Sequence, residues 1–194
     1  MLKAQCPTDV PPTGGGWPAW THAAAPIWVS VPGCDALVDY CYRVLTGWPT
    51  SLQTTYQAVV ISIDSSSSNC GSENTRAFFS AITDAVQHDD LSRVNANILP
   101  PCNDNTSVDS IEMWMPSCWK MTQTSPSRHF IPCGGAPAGY CVNSCAICEN
   151  NGSAYTFGCV DHPYGSPNCS LDAPTTLSGW NTTDCVHVPC GSTP

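Results

Sequence analysis

The stretch that decides the fold runs from Tyr140 to Val160 and reads YCVNSCAICENNGSAYTFGCV. It contains two apolar, cysteine-bearing segments on either side of Asn151-Gly152. Because Asn-Gly supplies the positive φ angles that a tight hairpin turn requires, the stretch predicts a β-hairpin that turns at these two residues. In that register Cys145 lies near Cys159 across the strands, which predicts a disulfide between them.

Cysteine is abundant along the whole chain, with fourteen in 194 residues. Thiols at this density are typical of an oxidising compartment, where they form disulfides. We therefore predict an exported protein with six or seven disulfides, secreted and located outside the cell or on its surface. The disulfide candidates are Cys6, Cys34, Cys41, Cys70, Cys102, Cys118, Cys133, Cys141, Cys145, Cys148, Cys159, Cys169, Cys185 and Cys190.

A metal cluster is the alternative for three of these cysteines. Cys141, Cys145 and Cys148 have the spacing of the iron–sulfur motif of radical enzymes. The chain lacks the strand–helix alternation of those enzymes, and a hairpin strand places Cys148 on the face opposite Cys141 and Cys145. Disulfides are therefore favoured, and we expect no metal and no cofactor.

Charge excludes several classes of partner. Charged residues make up 11% of the chain, and its net charge is −9 with six basic residues. Phosphate neutralisation needs clustered Lys and Arg, so nucleic acid is not an expected partner. No apolar stretch approaches the roughly 18 residues of a membrane helix, so membrane insertion is not expected either.

The coarse organisation is an extended arm followed by one globular domain. Residues 1–33 are rich in Pro, Gly and Trp, which oppose regular structure, and residues 34–194 form a single disulfide-stapled domain. The arm either lies along its own domain, anchored by Trp17 and Trp20, or docks on a neighbouring copy. Its candidate interface residues are Trp17, Trp20, Ile27, Trp28, Val29 and Val31.

Apolar patterning predicts a mostly β protein with one helix. The clearest strand covers 56–64, and the one convincing helix covers 72–91, with Ser72 or Asn74 as its N-cap. Further strands are expected at 27–31, 110–115, 118–121 and 128–133, with a strand or helical turn at 37–45 and loops over 161–194. The predicted fold class is α+β, mostly β: a disulfide-rich, β-sandwich-like domain with one packed helix.

No motif for catalysis is present, so we assign no catalytic residue and expect no enzyme. The histidines are dispersed, although His129 and Asp161-His162 could join a triad assembled in space. His88-Asp89-Asp90 at the end of the predicted helix resembles a metal site. We interpret it as a solvated helix end.

Tryptophans and asparagines offer two kinds of surface site. Trp17, Trp20 and Trp180 lie in Pro/Gly-rich loops, where an exposed indole could stack on sugars, so glycans are candidate partners. Trp28, Trp48, Trp114 and Trp119 are interpreted as core or interface residues. Candidate glycosylation sites of the Asn-x-Ser/Thr type are Asn105, Asn151, Asn168 and Asn181.

Short islands of sequence carry a family resemblance. They are Ala4-Gln5-Cys6-Pro7 at an expected cleavage point, Cys118-Trp119, Ile131-Pro132-Cys133-Gly134 and Gly139-Tyr140-Cys141-Val142. With these islands the chain resembles uncharacterised secreted Cys/Trp/Pro-rich proteins of bacteria related to the Bacteroidota. The resemblance implies export through the outer membrane and a role at the cell surface, and it carries no active site.

Three functions follow as hypotheses. The first is a structural subunit of an extracellular filament, tube or surface layer, a homo-oligomer joined by strand addition through the N-terminal arm. Its partners would be copies of itself. The alternatives are a secreted adhesion or glycan-binding module and a disulfide-bonded extracellular hydrolase.

Overall fold

The computed structural model describes residues 5–31, 34–65, 70, 72–102, 109–124, 127–133, 139–180 and 184–190. The predicted class is confirmed, because these residues form eleven strands and one α-helix. The strands are β1 Thr21–His22, β2 Ile27–Val31, β3 Cys34–Thr46, β4 Thr54–Ser65, β5 Ser110–Pro116, β6 Cys118–Thr124, β7 Ser127–Pro132, β8 Tyr140–Asn150, β9 Ser153–Tyr164, β10 Leu171–Asp172 and β11 Val186–His187. The helix α1, Thr75–Leu91, lies between β4 and β5. None of the helical structure described here is long and apolar enough to cross a membrane.

Strand β4 is the centre of the fold. It is buried on both faces, which explains why its sequence is apolar without alternation. On one side it pairs with β3, and on the other it pairs with β5 in parallel and with β7 at its far end. The sheet therefore forks at β4 into the branches β5-β8-β9 and β7-β6-β11-β10. The sequence predicted a sandwich-like domain, and the described strands form one branched, mixed sheet of eleven strands.

Helix α1 fills the space inside the fork. It begins three residues later than the sequence predicted, because the Asn74 side chain accepts a hydrogen bond from the Ala77 amide and caps it. On the branch that contains β8, Gln87 Nε2 of the helix donates a hydrogen bond to Asn143 Oδ1 at 2.8 Å. On the other branch, the Phe78 ring lies 5.7 Å from the Phe130 ring of β7, and the Phe79 ring lies 5.3 Å from the Trp119 ring of β6. Burial of each such side chain stabilises the fold by about 1.5–3 kcal/mol.

The predicted hairpin is confirmed as β8 and β9. Asn151 and Gly152 form its two-residue turn, and their φ angles are 51° and 80°. The strand register shifts by one residue between Ser144 and Ala146. At this bulge Gly158, with φ of 61°, and Cys159 together lie opposite Cys145.

All fourteen cysteines are paired, and the predicted Cys145–Cys159 disulfide is confirmed. The other six bridges join residues 35 to 52 positions apart. They are Cys6–Cys41, Cys34–Cys70, Cys102–Cys148, Cys118–Cys169, Cys133–Cys185 and Cys141–Cys190. Three bridges thereby hold the segment after β9, which was predicted as loop and contains the short strands β10 and β11.

The N-terminal segment lies along its own domain, the first of the two placements considered. β1 and β2 pair with β3, so the boundary at residue 33 does not separate an arm from a body. Residues before β1 cover one part of the outer face of the sheet, by which we mean the face opposite α1, where they pack on Val59, Trp114 and Tyr140. The buried Arg43 side chain donates hydrogen bonds to the carbonyls of Val10 and Pro11 at 2.8 and 2.7 Å.

The residues predicted to form an interface between the arm and a neighbouring copy pack largely within their own domain. Val29 and Val31 are buried in the core beside α1, and the ring of Trp20 lies 4.2 Å from the Arg43 guanidinium carbon. Half-exposed Ile27 packs against the same core. Since β2 is already a strand of this domain, donation of this segment into the sheet of a neighbouring copy is not supported.

Candidate functional site

Histidine–aspartate pairs were the expected sign of a hydrolase. The described residues contain three, His22–Asp39 at 3.2 Å, His129–Asp64 at 2.5 Å and His187–Asp172 at 3.5 Å. A triad also needs a nucleophile on the other imidazole nitrogen. Within the described ranges no serine or cysteine is hydrogen-bonded to these histidines. Asp161 accepts a hydrogen bond from Asn143, and the adjacent His162 is exposed.

The helix end at His88-Asp89-Asp90 is not the solvated cluster expected from the sequence. Asp89 accepts hydrogen bonds from the Tyr40 hydroxyl and the Arg93 guanidinium. Asp90 is buried, with Oδ1 3.6 Å from Nη1 of Arg93. No group of three potential ligand side chains in the described part of the chain could hold a metal ion.

Burial of Asp90 should make stability depend on pH. Loss of hydration raises the pKa of its carboxyl to about 7, despite the opposing effect of Arg93. The folded protein then binds a proton more tightly than the unfolded chain, so this contribution is full below about pH 4 and is lost as pH rises towards 7. The resulting decrease in the free energy of unfolding between about pH 4 and pH 7 is on the order of 3 kcal/mol. We expect Asp90→Asn to remove most of this decrease.

Denaturant unfolding at a series of pH values, with the disulfides intact, measures this effect. Asp172→Asn is the control, since the Asp172 side chain is 91% exposed. An unchanged pH slope in Asp90→Asn would contradict the assignment.

The tryptophans are distributed differently from the prediction. Trp180 is buried against Phe79, with the rings stacked and their centroids 6.0 Å apart, so it cannot contact a sugar. Trp17 packs edge-on against Trp48 at 5.6 Å. Trp28, interpreted as a core or interface residue, is exposed, whereas Trp114 and Trp119 are buried as predicted.

Two of the four candidate glycosylation sites lie in the described residues. Asn151 is exposed at the hairpin turn, and Asn168 is exposed after β9. Asn105 and Asn181 lie outside the described residues. Occupancy of all four stays a prediction.

Of two concave surfaces formed by the described residues, one has little room for a small ligand and the other offers few chemical groups to bind one. A groove between α1 and the C-terminal segment, beside Arg76 and Asp161, encloses about 40 Å³, whereas ligand pockets typically span about 300–1,000 Å³. An open cleft of about 410 Å³ below the hairpin turn has His88 as its one titratable lining residue. The broad sheet surfaces are therefore the stronger candidates.

Three of the exposed large apolar side chains of the described residues lie on the edge strand β9. Tyr155 and Val160 are 55% and 60% exposed, and Tyr164 is also exposed. Alternation would place odd-numbered Tyr155 and even-numbered Val160 on opposite faces. The extra residue at Gly158 shifts this alternation, so both project from the outer face. We call this set the β9 stripe: Tyr155, Phe157, Val160, His162 and Tyr164.

Sequence reasoning located the hairpin and missed the stripe. It ended the second strand near Val160 and assigned 161–194 to loops, whereas β9 continues to Tyr164. A glycine inside a strand is the one signal for a bulge that the sequence contained, at Gly158.

Comparison with known proteins gives no family for this chain. No protein-family model matches it, and no curated protein or solved structure does so either. Its own surface is therefore what indicates a role.

Proposed function

We propose that this protein is a structural subunit of an extracellular filament, tube or surface layer, and that its copies join through the open edge of β9. The β9 stripe on that edge is the observation that carries the proposal. Seven disulfides are typical of extracellular proteins and constrain the unfolded chain. A durable subunit benefits from both properties.

The backbone of β9 favours this joint. Among the described strands β9 pairs only with β8, so one side of it has no strand partner. Natural proteins usually protect such edges with lysine or proline. β9 contains no Lys or Arg, and its proline, Pro163, is near the far end, so Ser153–Phe157 is an uncharged edge segment without proline.

A second copy is the occupant that this edge fits best. Two copies of Ser153–Phe157 can pair antiparallel about a twofold axis, which brings the outer-face aromatic rings of both copies together. Charge repulsion between copies of net charge −9 is smallest where the contact is uncharged. β2, the other uncharged edge strand of this part of the sheet, offers a second self-pairing edge, and two different self-pairing edges can alternate along an open polymer.

The test changes one stripe residue. Tyr155→Lys places a cation on β9 and leaves β2 unaltered, so we expect this variant to form nothing larger than a dimer while the unaltered protein forms longer assemblies with increasing concentration. Sedimentation velocity and electron microscopy of the disulfide-intact protein measure this. Leu52→Lys is the matched control, because Leu52 is also an exposed large apolar residue and lies in the turn between β3 and β4.

Two results would contradict the proposal. One is an unaltered protein that stays monomeric up to its solubility limit. The other is growth of Tyr155→Lys beyond a dimer at the concentrations at which Leu52→Lys forms longer assemblies.

A further inference from the structure

A straight row of side chains crosses five strands on the outer face, away from β9. The strand register places Trp28 of β2 beside Leu37 of β3 and Leu37 beside Asp64 of β4. It then places Asp64 beside His129 of β7, and His129 beside Thr122 of β6. Because neighbouring strands lie about 4.8 Å apart, the row is about 19 Å long. We call it the outer-face row.

The row is open to solvent along its length. Trp28 is 69% exposed, and the side chains of Asp64 and His129 are 51% and 42% exposed. Their chain neighbours Val29, Ile63 and Phe130 point the other way, into the core around α1. The five side chains therefore stand on one face of a continuous sheet, and the core holds their backbone in place.

The polar members of the row are held in a fixed arrangement. Nδ1 of His129 lies 2.5 Å from Oδ1 of Asp64, which orients the imidazole and leaves Nε2 for a ligand. The second oxygen of Asp64 and the hydroxyl of Thr122 add an acceptor and a donor–acceptor group. Trp28 adds a large aromatic surface at the other end.

We propose that the outer-face row binds a neutral, linear oligosaccharide. One sugar ring lies with its C–H face on the indole of Trp28, and the hydroxyls of the following rings bond to Asp64, His129 Nε2 and Thr122. An extended chain of hydroxyl-bearing rings fits a row in which two apolar residues, Trp28 and Leu37, are followed by three polar groups at regular spacing.

Other extended ligands, namely nucleic acids, charged glycans and amphipathic peptides, fit the row less well. The row contains a carboxylate, and the chain has a net charge of −9, so nucleic acids and sulfated or uronic-acid glycans are repelled. An amphipathic peptide would need a continuous apolar groove, whereas the two apolar members, Trp28 and Leu37, occupy one end. A neutral saccharide requires neither a basic patch nor a groove.

The experiment titrates neutral oligosaccharides into the intact, disulfide-bonded protein. The probes are cello-, xylo-, manno- and chito-oligosaccharides of four to six units, with binding followed by calorimetry. We expect one series to bind, and we expect both Trp28→Ala and Asp64→Asn to weaken it at least about tenfold. Trp17→Ala is the matched control, because Trp17 contacts Trp48 outside the row.

Each other outcome would overturn the proposal. These are binding of none of the four series by folded protein, binding of charged glycans alone, and equal affinity in Trp28→Ala and Trp17→Ala. Asp64→Asn also separates this site from the β9 joint, since Asp64 lies on β4 and its loss should leave sedimentation unchanged.

Discussion

Trp180→Ala should lower the free energy of unfolding by about 3–5 kcal/mol. The indole of Trp180 is buried among aromatic rings, stacked on Phe79 and edge-on to Phe130 at 5.3 Å. Truncation leaves a cavity that the neighbouring disulfide-held segments cannot close. Denaturant unfolding followed by circular dichroism, with all disulfides intact, measures the change.

Trp28→Ala is the matched control for this prediction. Because Trp28 is exposed, its truncation should change the unfolding free energy by no more than about 0.5 kcal/mol. Trp180→Phe should lower the free energy of unfolding less than Trp180→Ala, because an aromatic ring still packs against Phe79. The Phe variant also gives up no hydrogen bond, since the buried Nε1 of Trp180 has no hydrogen-bond partner among the described residues. An equal decrease in the free energy of unfolding for Trp180→Ala and Trp28→Ala would show that the C-terminal segment does not cover the core.

Removal of the Cys133–Cys185 bridge, by alanine at both positions, should cost about 4 kcal/mol. The bridge closes a loop of 52 residues, and release of so long a loop increases the entropy of the unfolded chain. Between Cys169 and Cys190 this is the one bridge along the segment, and the strands β10 and β11 there are two residues each. We therefore expect limited proteolysis to cut this variant between β9 and residue 190.

The Cys145→Ala/Cys159→Ala protein is the matched control. Its loop spans 14 residues, which predicts a loss of about 3 kcal/mol, and the Asn151-Gly152 turn still joins the strands. Its C-terminal segment should stay resistant to protease. Equal cleavage of that segment in both variants would mean that the bridge to Cys185 does not hold it.

Features set by neighbouring residues were predictable. The turn at Asn151-Gly152 follows from the φ angles that these residues tolerate. α1 and its Asn74 cap follow from helical periodicity and cap chemistry. Cys145–Cys159 was predictable because a hairpin register fixes which residues face each other across 14 positions.

Features set by distant packing were not predictable in the same way. Trp180 occupies a loop-like sequence, yet Leu177 and Trp180 close the core between the branches of the sheet. Asp90 is in a polar run, yet the fold buries it beside Arg93. Trp180 contacts Phe79 and Phe130, which are far away in the chain, and Asp90 is buried although its ion-pair partner Arg93 is a near neighbour, so local composition gives the wrong environment for both.

Composition, periodicity and backbone preference over short spans were enough to predict the disulfide-rich character, which is consistent with an extracellular protein, and the mostly β class, the hairpin and the helix. Only the tertiary structure decided the pairing of cysteines 35 to 52 residues apart, the docking of the N-terminal segment on its own sheet, and the exposure of Trp28. It also decided the face of β9 that carries the stripe, since one bulged residue reverses the alternation of every side chain beyond it. These outcomes depend on which distant segments meet, and short-range patterns contain no information about that.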